Sequence, residues 1–242
     1  MSTKPVPTFH DAYHARQWET CYESTRAFFD FLETHGAIAD DKDQHIVDLC
    51  TGTGSNLYWL KQRFPKLRLS GVEIDPRLVE WGTAALAERN TSGVNLSVGD
   101  VYDLQTAALQ PADGVISLQT LSFLPDEAGF IHAAAAVEAP WIALTGLIIE
   151  GSHSFRTLIN NHAAPEKGDN FYNTFALEYI TQLLADEGYS NIIHSPFEIG
   201  IDLPKPADDG LGTYTEQTDD GRRLQISGAV LMSWQFVLAR RI

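Results

Sequence analysis

What most constrains this chain is its alternation. Short apolar runs of strand type are each followed by a stretch with helical spacing. "HIVDLC" (45–50) precedes "NLYWLKQRF" (56–64), which Pro65 stops, and "LRLSGVEI" (67–74) precedes "PRLVEWGTAALAERN" (76–90). The proline opening the latter sits where a missing N–H costs little. "NLSVGD" and "DGVISLQTL" read as the next two strands, and "DEAGFIHAAAAVEA" as a helix. "PWIALTGLIIEG" is a strand, and "FALEYITQLLADEGY" a helix that Gly188 ends. Such alternation predicts an α/β fold: a mostly parallel sheet with helices on both faces. Upstream, residues from about 12 to 35 predict a helix, with Trp18, Tyr22, Phe28, Phe29 and Leu32 spaced near three and four. Downstream, "GTYTEQTDDGRRLQIS" predicts a hairpin around Asp220-Gly221, and "AVLMSWQFVLA" one long last strand.

At 242 residues with 44% hydrophobic composition, the chain has material for a sizeable core. A single domain over 1–242 is expected, with a helical lid over 1–40, a ligand-binding core over 45–150, and substrate-side elements and C-terminal strands over 151–242. Lysine and arginine number 17 against 32 acids, a net charge of −15. No basic run exceeds Arg222-Arg223 or Arg240-Arg241, so a groove tracking nucleic-acid phosphates is disfavoured. Two cysteines, Cys21 and Cys50, are too few for a disulfide framework. The start lacks the apolar core of a signal peptide. The most apolar region is interrupted by Glu138 and Pro140, which argues against a membrane span. A cytoplasmic protein, monomeric or homodimeric, is the expectation.

The stretch "VDLCTGTGSN" (47–56) joins the first strand of the core to its helix. In such a unit glycines let the backbone turn tightly and approach a ligand, while the helix presents free N–H groups. Gly52 and Gly54 are placed for both tasks, although a plain structural turn uses the same residues. Glu73 follows Gly54 at the tip of the second strand, at the spacing where an acid accepts from ribose hydroxyls. "VGDVYDL" puts Asp100 at the tip of the third strand, and "DGVISLQTLSFL" carries the fourth to Ser117 and Gln119. Four such residues in order mark the carboxyl rim of the sheet as a ligand site.

"VDLCTGTGSN", "GVEIDPRLVEWG", "VGDVYDL" and "DGVISLQTLSFL" together resemble the consecutive motifs of the class I S-adenosylmethionine-dependent methyltransferases, over roughly residues 45 to 150. The resemblance implies a Rossmann-like seven-stranded sheet with an antiparallel last strand, and S-adenosyl-L-methionine as cofactor. Asp48 and the loop of Cys50, Thr51, Gly52 and Gly54, with Asn56, then hold the amino-acid part of that cofactor. Glu73 binds the ribose and Asp100 the adenine with Val101 nearby, Ile74 is a further cofactor contact, and Gln119 lies beside the methionine moiety. Cys50 replaces the first glycine of the family's usual loop; it is either a small packing residue or a thiol nucleophile.

Methyl transfer needs chiefly alignment of the acceptor and exclusion of water, with a general base when the acceptor is a hydroxyl or an ammonium. "IIEGSHSFR" offers His153 as that base, with Glu150 and Arg156 as substrate contacts; a solvated loop histidine is the alternative. Tyr172 is a second catalytic candidate in "NNHAAPEKGDNFYN", where His162 and Asp169 are weaker ones. Tyr13, Arg16 and Gln17 in the N-terminal segment and Tyr214 in "LPKPADDGLGTYT" complete the expected substrate side. His10 and His14 lie four apart but lack further ligands at metal-binding spacing, so no metal is expected. The leading expectation is methylation of a small molecule at oxygen or nitrogen. The alternatives are a non-catalytic binder of S-adenosylmethionine or S-adenosylhomocysteine and, on the incomplete GxGxxG, a nicotinamide dehydrogenase.

Overall fold

The computed structural model describes residues 8–104, 111–160, 162, 170–206 and 212–241. Two N-terminal helices, α1 (Thr8–Glu19) and α2 (Glu23–Thr34), precede β1 (His45–Leu49) and α3 (Ser55–Arg63). Then come β2 (Arg68–Glu73), α4 (Pro76–Glu88), β3 (Val94–Val98) and β4 (Gly114–Ser117). A 3-10 turn (Leu121–Phe123), α5 (Glu127–Ala135) and β5 (Trp141–Ile149) follow. The last part holds β6 (Leu158–Ile159), β7 (Asn170–Phe171), β8 (Phe175–Ala176), α6 (Leu177–Asp186) and β9 (Tyr189–Pro196). It ends with β10 (Thr213–Gln217), β11 (Arg223–Ser227), β12 (Val230–Leu231) and β13 (Trp234–Arg241).

The main sheet runs β3-β2-β1-β4-β5-β13-β9, with the short β8 added beside β5 as an eighth strand. All pairings from β3 to β5 are parallel, whereas β13 is antiparallel to both of its neighbours. The expected seven-stranded, mostly parallel sheet is therefore present with its last strand reversed. Strand residues alternate between two cores, as a pleat requires. Phe236 and Leu238 of β13 join Phe28 and Leu32 of α2 and Leu57 and Leu60 of α3 on one face. Val237 and Ala239 join Phe130 of α5 and Ile180 and Leu184 of α6 on the other. Parallel order puts the carboxyl ends of β1, β2, β3 and β4 on one rim, where ligands of open α/β sheets bind.

Three expectations need correction. The helix over 12–35 is two helices, because the chain leaves α1 at Thr20 and enters α2 through an extended Tyr22 (φ −65°, ψ 152°). The fourth strand stops at Ser117, since Gln119 turns to a left-handed φ of 56°. The last apolar run is broken at Met232 and Ser233 into β12 and β13. The expected hairpin forms, but it joins β12 in a separate three-stranded sheet; β9 is the neighbour of the reversed strand.

Candidate active site

β1 delivers Asp48 to the rim, and the chain then turns through left-handed φ angles at Cys50 (61°), Gly52 (59°) and Gly54 (75°). Glycine suits this backbone, and at Gly54 it is also needed for space. A Cβ there would lie 2.8 Å from Leu96 Cδ2. The turn is tied down by Thr51 N–H donating to Val72 O (3.0 Å) and Gly54 N–H to Thr51 O (3.0 Å).

Glu73, at the end of β2, receives three main-chain N–H groups. Gly52 donates to Oε2 at 2.9 Å, while Ile74 (2.9 Å) and Asp75 (3.1 Å) donate to Oε1. Its carboxylate is thus held in one orientation and linked to the glycine turn. Ile74 beside it is an exposed apolar side chain, at 63% accessibility. Asp100, after β3, accepts from the Tyr102 N–H (2.9 Å), and Val101 is buried in the core.

Asp48 is buried, and only one of its oxygens is satisfied: Oδ2 accepts from the Thr51 hydroxyl at 2.7 Å, whereas Oδ1 has no partner among the described residues. Burial pushes its pKa up to about 7; the Thr51 hydrogen bond opposes this, and the Glu73 charge adds to it. A buried carboxylate oxygen without a donor is costly and suits a cationic ligand group. Cys50 is raised too, by burial and then by Glu73, Asp48 and Asp100. Three carboxylates around one thiol disfavour the thiolate.

The second half of the site surrounds Gln119. Its N–H donates to Thr145 Oγ1 (2.6 Å), its amide Nε2 to Ser24 Oγ (3.0 Å), and its Oε1 accepts from the Tyr13 hydroxyl (3.4 Å). Tyr13 in turn accepts from Gln17 Nε2 (3.0 Å). Burial raises the Tyr13 pKa, with the phenols of Tyr22 and Tyr172 adding to it, while Arg16 and the Gln17 hydrogen bond work against the shift. A small pocket beside Gln119 is lined by Ser24, Leu118, Thr145, Trp234 and Phe236.

Helix α1 is fastened over the glycine turn. Trp18 Nε1 donates to Thr53 Oγ1 (3.0 Å) and Trp59 Nε1 to Gln17 O (2.8 Å), while Thr25 Oγ1 donates to Asn56 Oδ1 (3.0 Å). Among the described groups Asn56 therefore binds α2. His14 lies directly over the turn, 3.2 Å from where a Cβ on Gly52 would stand.

The remaining candidates make other contacts. His153 and Glu150 are exposed, and the His153 ring meets the neighbouring Ser152 hydroxyl at 3.4 Å. Arg156 pairs with buried Glu127 (2.5 Å), which also accepts from Tyr179 (2.9 Å). Tyr214 lies on β10 under the Lys205 ammonium, 4.9 Å from its ring centre. Tyr172 packs against Phe123, with ring centres 5.0 Å apart, and its phenol acts on Tyr13. His162 is exposed, and Asp169 and the His10 side chain lie outside the described residues. Among the described residues no group of three or more metal-ligating side chains occurs, and no helix is long and apolar enough to cross a membrane. Sequence reasoning missed Trp18, Tyr22, Ser24 and Thr145 as parts of the site. Trp18 and Tyr22 carried a core signal through their helical spacing; Ser24 and Thr145 carried none, because their roles depend on how α1 and α2 dock.

Comparison with known proteins gives a consistent result. Residues 46–140 match a family described as a methyltransferase domain. A stretch of 67 residues is 39% identical to the tRNA1(Val) (adenine(37)-N6)-methyltransferase of Porphyromonas gingivalis. That match covers 27% of this chain and spans only 26% of the relative's length. Among solved structures, the N-terminal domain of EvdMO1 with SAH bound superposes over 100% of both chains, at a TM-score of 0.59 and 14% identity. An O-methyltransferase family protein from Burkholderia thailandensis matches 90% of this chain and 57% of its own, at a TM-score of 0.55 and 11% identity. These structural likenesses concern the fold.

Proposed function

We propose that the chain is a class I S-adenosylmethionine-dependent methyltransferase acting on a small-molecule acceptor, a reading supported by the match of residues 46–140 to a methyltransferase domain. S-adenosylmethionine, the cofactor of the family, supplies an electrophilic methyl group and leaves as S-adenosylhomocysteine. The observation carrying the proposal is the unpartnered Oδ1 of buried Asp48, with Glu73 and Asp100 around the same turn. A cofactor with an ammonium, a sulfonium and a ribose diol is complementary to three carboxylates. In this reading Asp48 and the 50–54 turn hold the amino-acid end, Glu73 the ribose, and Asp100 with Ile74 the adenine. Gln119, clamped by Ser24 and Tyr13, faces the reacting end. Helices α1 and α2 exclude water and orient the acceptor, which is where most of the rate acceleration arises. The described residues act as one unit, with α1 and α2 as the covering segment.

A small acceptor is supported by the net charge of −15, since an RNA substrate needs phosphate contacts that such a surface supplies poorly. The similarity to a tRNA methyltransferase makes RNA the competing acceptor. Calorimetric titration with S-adenosylmethionine, S-adenosylhomocysteine and NAD tests the first step. Adenosyl ligands are expected to bind and NAD to be silent; binding of NAD alone overturns the reading. Transfer of radiolabelled methyl into a metabolite extract rather than into total tRNA is then expected. Label confined to tRNA makes the chain an RNA enzyme.

A further inference from the structure

The residues around Gln119 say more about the acceptor. Tyr13, Arg16 and Gln17 are spaced i, i+3 and i+4 on α1, so they share one face of that helix. That face meets Gln119, through the Tyr13 hydroxyl (3.4 Å) and the Gln17–Tyr13 bond (3.0 Å). Tyr22, at the elbow between α1 and α2, stands 6.0 Å from Tyr13 between ring centres, tilted at 57°. Tyr172 packs against the cluster of Leu147, Met232 and Trp234, and Trp234 lines the pocket beside Gln119. Three half-buried phenols therefore gather beside the amide that the methyltransferase reading sets next to the transferred methyl. Phenol faces attract a cation, and the hydroxyls of Tyr13 and Ser24 retain acceptor lone pairs for an N–H. On that same face, three residues after Tyr13, stands Arg16, an exposed cation with no ion pair among the described residues.

We propose that the acceptor is an aminocarboxylate: its amine lies among Tyr13, Tyr22 and Tyr172, and its carboxylate pairs with Arg16 at the mouth of the site. The inference rests on the methyltransferase reading and deepens it. The ammonium gives a proton to solvent on entering the phenol cluster. The freed nitrogen lone pair forms the bond to the methyl carbon as the carbon–sulfur bond breaks, and that electron pair stays on sulfur. The methylated nitrogen leaves as a positively charged alkylammonium, so the one proton released overall is the one given up on entry. An amine needs no alkoxide to be generated, which matches a cluster made of neutral hydroxyls and amides. Simple amines lack a group for Arg16, and simple carboxylates lack one for the phenols.

The test is a binding measurement on the full chain saturated with S-adenosylhomocysteine. β-Alanine and γ-aminobutyrate are titrated beside propylamine and butylamine, and beside propionate and butyrate, each lacking one end. At least one aminocarboxylate is expected to bind roughly tenfold or more tighter than its two truncated counterparts. Arg16→Gln should bring its affinity down to that of the bare amine and leave the amine unchanged. Tyr13→Phe should weaken both. Equal affinity for the truncated compounds, or silence from all of them while S-adenosylhomocysteine binds, overturns the proposal. Failure of S-adenosylhomocysteine itself to bind overturns instead the methyltransferase reading beneath it.

Discussion

The main-chain N–H of Gly52 donates to the Glu73 carboxylate at 2.9 Å, so the glycine turn after β1 and the acid at the end of β2 form one rigid unit. Replacing Glu73 by alanine removes the expected ribose acceptor and also leaves the N–H groups of Gly52, Ile74 and Asp75 without their shared partner. Loss of a charged hydrogen-bond partner costs about 1.5–3 kcal/mol, which predicts roughly tenfold to a hundredfold or more weaker binding of S-adenosylhomocysteine. Glu73→Gln, which keeps one acceptor oxygen, should lose less. Calorimetry on the two variants checks this, and unchanged affinity in Glu73→Ala would remove Glu73 from the cofactor site.

Gly82 on α4 supports the same turn from behind. A Cβ there would fall 2.1 Å from the Thr53 carbonyl oxygen and 2.6 Å from Leu96 Cδ1. Backbone on one side leaves no flexible group to move, so α4 must shift away from the loop. Overpacking of this kind costs about 1–3 kcal/mol. Gly82→Ala should therefore lower the denaturation midpoint and weaken S-adenosylhomocysteine binding together, although Gly82 has no assigned contact with ligand. A variant of unchanged stability would show that α4 yields freely.

The rim positions were legible because each lies at or just after the carboxyl end of a strand. Asp48, the 50–54 turn, Glu73 and Asp100 belong to short strand-to-loop segments, where local pattern fixes which end of the sheet a side chain occupies. The substrate side was not legible for the opposite reason. Tyr13 meets Gln119 across 106 residues and Ser24 meets it across 95, contacts decided by helix docking rather than by local spacing. The same limit applies to Arg156. Its position after β5 suggested a substrate contact, yet its nearest charge is Glu127, buried on the α5 side of the sheet. The break between α1 and α2 was hidden because Trp18, Tyr22 and Phe28 keep near-helical spacing through it. β10 and β11 showed their hairpin clearly, but nothing in their sequence told which sheet they would join.

Cys50 provides a chemical check on the electrostatics of the turn. Burial and the three surrounding carboxylates raise its pKa, so the reactive thiolate is scarce at neutral and mildly alkaline pH. In a Cys21→Ser background, alkylation of Cys50 by iodoacetamide at pH 8 is expected to run at least roughly tenfold slower than that of free cysteine. Cys50→Gly should retain cofactor binding, since glycine accepts the left-handed φ of 61° more readily than cysteine. Rapid alkylation, or loss of binding in Cys50→Gly, would return the thiol to the list of functional groups.

Asp48 predicts a pH dependence whose sign is fixed by its burial. Its pKa rises from the usual 3.8 to about 7 in the folded, unliganded protein, so folding takes up a proton across that interval. The stabilising contribution of this shift is fully present below the unfolded value and is lost as the pH rises toward and through about 7. Pairing with the ammonium of the cofactor requires the ionised carboxylate. Below about 7 a bound proton must therefore be released on binding, and affinity for S-adenosylhomocysteine should rise with pH by up to tenfold per unit, then level off above that value. Asp48→Asn should bind weakly and lose this dependence; measured against wild type, it should also remove the decline in unfolding free energy across the interval. Calorimetry in buffers of differing ionisation enthalpy at pH 6 reads the released proton directly. A pH-independent affinity in the wild type would mean that Asp48 is already ionised and partnered before the cofactor arrives.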